Sequence, residues 1–161
     1  MMTGYAAANT AAGLAADNRE SLEKYYSADY IDRMIRSGHC GPGTYAPVSA
    51  VYPTTEGGVY RALWNICEDF GCGIRVDIRD IPIKQETVEI CNHLDIDPYT
   101  LDDESVYLMV TSELQLLTGH PASNEPNAAT IGYLTEERTR MIVIGDNVRY
   151  LNRPQIQEEN T

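Results

Sequence analysis

Val59-Tyr60-Arg61-Ala62-Leu63-Trp64-Asn65-Ile66-Cys67-Glu68-Asp69-Phe70, then Gly71-Cys72-Gly73, then Ile74-Arg75-Val76-Asp77-Ile78, reads as a helix, its stop and a strand in unbroken succession. Val59, Leu63, Ile66 and Phe70 fall on one helical face. Gly71 and Gly73 end the helix, because glycine takes the left-handed conformation that closes one. Ile74 to Ile78 alternates apolar with charged, the period of a half-buried strand. Helix and strand alternating at this spacing point to the α/β class.

The pattern extends in both directions. After Pro82, Lys84 to Leu94 forms a second helix with Val88, Ile90, Cys91 and Leu94 as its apolar positions. Tyr45 to Tyr52, ahead of Pro53, reads as a short strand, and Thr54-Thr55-Glu56-Gly57-Gly58 joins it to the first helix. Residues 6–36 are read as helix, alanine-rich and close-packed at first, with a break or cap at Asp17-Asn18. From Ser21 onward Leu22, Tyr25, Tyr26, Tyr30, Ile31, Met34 and Ile35 recur at three and four, until Gly38 and the loop Gly41-Pro42-Gly43. Val106 to Val110 has strand length and composition; Ser112 to Leu117 is a short helix candidate and Gly119 to Pro126 a loop. Ala128 to Leu134 and Arg140 to Ile144 are the last expected strands. The chain is thus read as one mixed α/β domain over residues 1–152, a mixed sheet with packed helices, followed by a polar tail at 153–161.

Twenty-four acidic side chains against 12 basic ones leave a net charge of −12, which excludes a broad nucleic-acid or anionic-membrane surface, since both need a basic footprint. No apolar run approaches the ~20 residues of a membrane helix. Met1-Met2-Thr3-Gly4 opens no signal-peptide pattern, so a cytoplasmic location is expected. Cys40, Cys67, Cys72 and Cys91 contain no Cys-x-x-Cys pair, and His39, His93 and His120 are scattered. They read as buried or incidental thiols and no metal site, and no Ser/His/Asp constellation can be assembled.

Two stretches bear on chemistry. Thr54, Thr55, Gly57 and Gly58 place hydroxyls and free backbone N–H groups between an extended segment and a helix start, which suits a phosphate or carboxylate. The competing reading is a helix cap with glycines for close packing. No Gly-Lys-Ser/Thr follows, so the stretch is not a P-loop. The acidic run Asp95, Asp97, Asp102, Asp103, Glu104 lacks the EF-hand series and reads as a solvated loop face. Tyr25, Tyr26 and Tyr30 suit either an interface patch or the edge of a core.

Thr55 to Trp64, Gly71 to Asp77, Ile81-Pro82-Ile83-Lys84-Gln85-Glu86-Thr87-Val88-Glu89-Ile90-Cys91 and Asp97-Pro98-Tyr99 together resemble the C-terminal domain of the AIR synthase (aminoimidazole ribonucleotide synthetase)-related superfamily. The likeness is to its hydrogenase-maturation-factor-like branch, and it implies that superfamily's α/β C-terminal fold. Members of the superfamily work at a cleft between this domain and an N-terminal domain that holds most ATP and Mg²⁺ ligands. The family's cleft motif is similar to His-Asp-x-Thr-x-Gly-Gly; here Tyr52 and Pro53 stand at the His and Asp positions, while Thr55, Gly57 and Gly58 are retained. A second cleft loop, usually Ser-Gly-Ser, reads Asp103-Glu104-Ser105.

These departures lead to an expected stand-alone module, non-catalytic by itself, binding a partner protein or a small anion through Thr54, Thr55, Gly57 and Gly58. The alternative is one half of a split or truncated ATP-dependent enzyme. No catalytic residue and no cofactor is assigned to the isolated chain; ATP and Mg²⁺ are expected only with an ATP-binding-type partner. A homo-oligomer or a separate ATP-binding-type chain is the expected partner, with no nucleic acid and no membrane.

Overall fold

The computed structural model describes residues 1–38, 49–112 and 129–154. Its elements are β1 (Met2–Thr3), α1 (Ala8–Asp17), α2 (Arg19–Leu22), α3 (Ala28–Arg36), β2 (Ala50–Thr54), α4 (Gly58–Phe70), β3 (Gly73–Asp77), α5 (Gln85–Leu94), β4 (Asp103–Val110), β5 (Gly132–Thr135), β6 (Arg140–Ile144) and β7 (Asn147–Tyr150). Short 3-10 turns at Ile78–Asp80 and Pro98–Thr100 flank α5.

The fold is mixed α/β with packed helices, and the strands divide between two sheets. One is antiparallel in the order β1-β4-β2; the other runs β5-β3-β6-β7, with β3 and β6 parallel. Helix α4 lies where both sheets can reach it. Its Val59, Leu63 and Ile66 join Leu108 of β4 and Ile74, Val76 and Ile142 of the second sheet in one core. Each such side chain, fully buried, stabilises by about 1.5–3 kcal/mol. Phe70, expected on that face, is the last residue of the helix and is 44% exposed. A second core joins α1, α2, α3 and α5 through Ala11, Ala15, Leu22, Ile31, Met34, Ile90 and Cys91.

The helical stretch at 6–36 is three helices rather than one. Asn18 closes α1, its side-chain amide donating to the Leu14 carbonyl at 2.9 Å. Ser27 takes an extended conformation and starts α3 by accepting from the Tyr30 N–H. The tyrosines follow from that break: Tyr25 is 72% exposed, while Tyr26 and Tyr30 stack at 5.6 Å along the margin of the helical core.

Strand β2 is an edge strand that runs through Pro53, and its register shifts between Pro53 and Thr54. An edge accommodates proline because no ladder donor is required there. β1 and β7 were not expected. They are short, and β7 is exposed at every position, so neither carries an alternating pattern. Residues 45–48, the helix candidate after Ser112, the loop at 119–126, His39, Cys40, His120 and most of the polar tail lie outside the described residues.

The acidic run departs from the solvated-loop expectation. Asp103 is 2% exposed and belongs to β4. Its carboxylate accepts from the backbone N–H groups of Asn9 and Ser105 at 2.9 Å and from the Ser105 hydroxyl at 2.6 Å. Ala7, at the start of α1, has no side chain to cap the helix; Asp103 supplies that acceptor from a distant strand.

Candidate functional site

The start of α4 is built by the turn that the sequence singles out. Thr54 is 1% exposed, and its hydroxyl is held against the carbonyls of Asp103 at 2.8 Å and Val106 at 3.2 Å. It locks β2 to β4 and faces no open space. Thr55 and Glu56 are exposed. Gly57 and Gly58 have φ of 75° and 65°. The Gly57 N–H donates to the Asp102 carboxylate at 2.6 Å. A Cβ on Gly58 would stand 2.6 Å from the Tyr99 carbonyl oxygen and 2.7 Å from that of Leu101. Gly58 is therefore the point where the helix start touches the backbone of the 98–101 turn. Asp97 shapes that turn by accepting from the Tyr99 N–H at 3.0 Å.

Asp102 and Asp103, neighbours at the start of β4, thus cap two different helices. Successive side chains of an extended segment point to opposite sides. One carboxylate reaches the start of α4 and the other the start of α1.

Beside Gly57 opens a cleft of about 1040 Å³ between α4, the 98–102 segment and the β7 end of the second sheet. Tyr60 and Tyr150 are its aromatic lining, and Tyr99 packs behind Tyr60, ring centroids 5.5 Å apart and tilted by 40°. Arg149 of β7 lies over Tyr60, 5.3 Å from its centroid, and donates to its hydroxyl. Arg61 from the first turn of α4 and Arg153 beyond β7 also line the cleft, and neither forms an ion pair among the described residues. Arg61, Arg149 and Arg153 balance Glu56, Asp97 and Asp102 there, in a chain whose net charge is −12. The cleft is a local relief in an acidic field.

Burial, and next the charge of Asp97, pushes the Tyr60 and Tyr99 phenols up, with Arg149 opposing. Both stay neutral through the physiological range, able to donate and accept hydrogen bonds. Guanidinium groups likewise hold their protons. Guanidinium groups and a neutral phenol are side chains chemically suited to holding an anion.

Tyr52 and Pro53 do not line this cleft. The Tyr52 hydroxyl donates to Asp69 at 2.9 Å, near the opposite end of α4, and burial together with that bond pushes its phenol up to about 12. Of the residues singled out in the sequence, Gly57 borders the cleft, Gly58 shapes its floor, Thr55 is exposed on the turn and Thr54 is consumed structurally. The sequence assigns no site role to Tyr60, Arg61, Arg149 and Arg153, which line the cleft. Arg61 sits one turn beyond Gly57 and was legible in principle; Arg149 and Arg153 carry no local signal.

No family model matches the sequence. A protein of Methanocaldococcus jannaschii, provisionally described as a hydrogenase expression/formation protein, is 32% identical over 119 residues, which cover 70% of this chain and 33% of that protein. The crystal structure of Escherichia coli HypE, a hydrogenase maturation protein, superposes with a TM-score of 0.68 at 21% identity, over 98% of this chain and 50% of HypE. A chain of a HypE–HypF complex superposes with a TM-score of 0.62 at 18% identity, over 95% of this chain and 52% of that one. The chain spans about half the length of these solved chains and a third of the curated relative. At such identities the superpositions establish the fold.

Proposed function

We propose that the chain, which has the fold of HypE and is similar to a hydrogenase expression/formation protein, is an AIR synthase-related domain of the hydrogenase-maturation branch and an anion-binding half-site without catalytic activity of its own. The observation that carries this reading is the convergence of Arg61 from α4 with Arg149 and Arg153 from the β7 end of the chain on the cleft beside Gly57. The neutral Tyr60 phenol completes a surface suited to a phosphate- or carboxylate-bearing ligand with a planar group. Phosphoryl transfer needs positioned charge on both sides of the transferred group. This wall offers guanidinium groups, and among the described residues no three His, Cys, Asp or Glu side chains converge as cation ligands.

The half-length correspondence with HypE favours a second, compatible reading in which an ATP-binding-type domain, in the same polypeptide or another, supplies the facing wall. Partner binding is supported by the apolar surface left open on the second sheet: Tyr133, Val148 and Tyr150 are 61%, 47% and 64% exposed.

Calorimetric titration with Mg·ATP and with pyrophosphate tests the proposal. The chain alone is expected to bind no tighter than about millimolar, worth ~4 kcal/mol, and Arg61→Gln or Arg149→Gln is expected to abolish even that. Micromolar binding by the chain alone would overturn the half-site. Binding indifferent to both substitutions would overturn the assignment of the cleft.

A further inference from the structure

Helix α4 begins at the cleft and ends in a cap closed by two hydrogen bonds. Gly71, with φ 61°, donates its N–H to the Glu68 carbonyl at 3.3 Å, and Cys72 donates to the Cys67 carbonyl at 3.2 Å. The second bond spans six residues and folds the chain back on the helix. Closures of this kind commonly bring the side chains at the two ends of that bond into contact, where apolar residues meet. Here both ends are cysteines.

The surroundings of the two thiols are unlike. Cys67 is 1% exposed in the main core, and Cys72 is half-buried and reachable from solvent. Burial, and next the neighbouring Cys72, pushes the Cys67 thiol up; the positive charge of the nearby Arg140 guanidinium pulls the other way. Arg140 is itself held in place, stacked 3.6 Å from the centroid of Trp64 and paired with Glu68. A positioned guanidinium is what a buried thiolate needs to form transiently. Cys91 lies in the helical core, where burial, and next the charge of Asp97, pushes its thiol up to about 11.

We propose that Cys67 and Cys72 are a reversible dithiol site that a low-molecular-weight disulfide such as glutathione disulfide converts to an intramolecular disulfide. The exposed Cys72 thiolate attacks one sulfur of glutathione disulfide, forming a mixed disulfide and releasing one glutathione thiolate. The Cys67 thiolate then attacks the Cys72 sulfur, closing the Cys67–Cys72 bond and releasing the second glutathione. The two thiol protons end on two glutathione molecules, so oxidation of the pair balances reduction of the external disulfide. The product ties the end of α4 to the start of β3, the strand against which α4 packs.

The test incubates the full chain with excess glutathione disulfide, alkylates it with iodoacetamide and digests it with trypsin. Cleavage after Arg61 and Arg75 releases the peptide Ala62–Arg75, whose only cysteines are Cys67 and Cys72. The expected peptide has lost alkylation at both positions, is lighter than its reduced form by two hydrogen atoms, and regains both thiols with dithiothreitol. Cys91 is expected to stay reduced throughout. Cys67→Ser buries a hydroxyl in the core, so the milder Cys72→Ser serves as the control, and its Cys67 is expected to take up no glutathione. Full alkylation after exposure, arrest at a Cys72–glutathione adduct in the unaltered chain, or a bond from either cysteine to Cys40 or Cys91 would each overturn the proposal.

Discussion

Gly58 and Gly71 offer a matched pair, because both sit at nearly the same positive φ, 65° and 61°, at the two ends of one helix. Alanine in the left-handed region costs about 1–2 kcal/mol. Part of that is offset by about 0.4–1 kcal/mol, since alanine restricts the unfolded chain. Gly71→Ala should therefore cost about 1 kcal/mol, as the nearest atom to its new Cβ would be Arg138 Nη2 at 4.0 Å. At Gly58 the same Cβ meets the Tyr99 oxygen at 2.6 Å, the Leu101 oxygen at 2.7 Å and the Thr100 carbonyl carbon at 2.8 Å. All three are backbone atoms, so no side chain can rotate away. The 98–101 turn has to move, and overpacking of this kind adds about 1–3 kcal/mol. Gly58→Ala is thus expected to cost about 2–4 kcal/mol in urea unfolding, with an unchanged dependence on denaturant concentration. If the two variants fall within about 0.5 kcal/mol of each other, the argument that Gly58 is required by close approach is refuted.

Other expectations follow from the same contacts. Asp103→Ala leaves the Asn9 and Ser105 N–H groups without their acceptor and should cost about 2–3 kcal/mol in unfolding; a loss under about 0.5 would deny its role as the cap of α1. Asp102→Ala frees the Gly57 N–H and removes a negative charge from the cleft, so anion binding by calorimetry should strengthen by about 1 kcal/mol, and a weakened affinity would contradict the proposed site. The Tyr52 phenol, held near 12 by burial and by Asp69, keeps its proton more firmly folded than unfolded, where a phenol titrates near ~10. Its contribution is complete below pH ~10 and is lost as the pH rises toward about 12, in the same direction as Tyr26, Tyr30, Tyr60 and Tyr99. Unfolding midpoints should fall across that window, less so in Tyr52→Phe, and a flat profile would count against it.

What the sequence by itself determined is what depends on neighbours along the chain. The helix of Val59, Leu63 and Ile66, its end at Gly71, the alternation of Ile74 and Val76 and the helix closing at Leu94 all stand in the structure, because periodicity and left-handed glycine act within a few residues. The resemblance carried by residues 54–99 likewise led to the fold that the HypE superposition shows. What only the tertiary structure decided depends on partners far along the chain. Strand β7 exists because its backbone finds β6, and its exposed side chains announce nothing. Asp103 is buried because donors from Asn9 and Ser105 compensate its carboxylate, and Thr54 is withdrawn from any ligand because its hydroxyl meets the carbonyls of β4. The arginines of the cleft come together only when β7 packs beside α4, since Arg61 and Arg149 are separated in sequence by the whole of β3 to β6. Charge acts through space, and spacing along the chain does not reveal it.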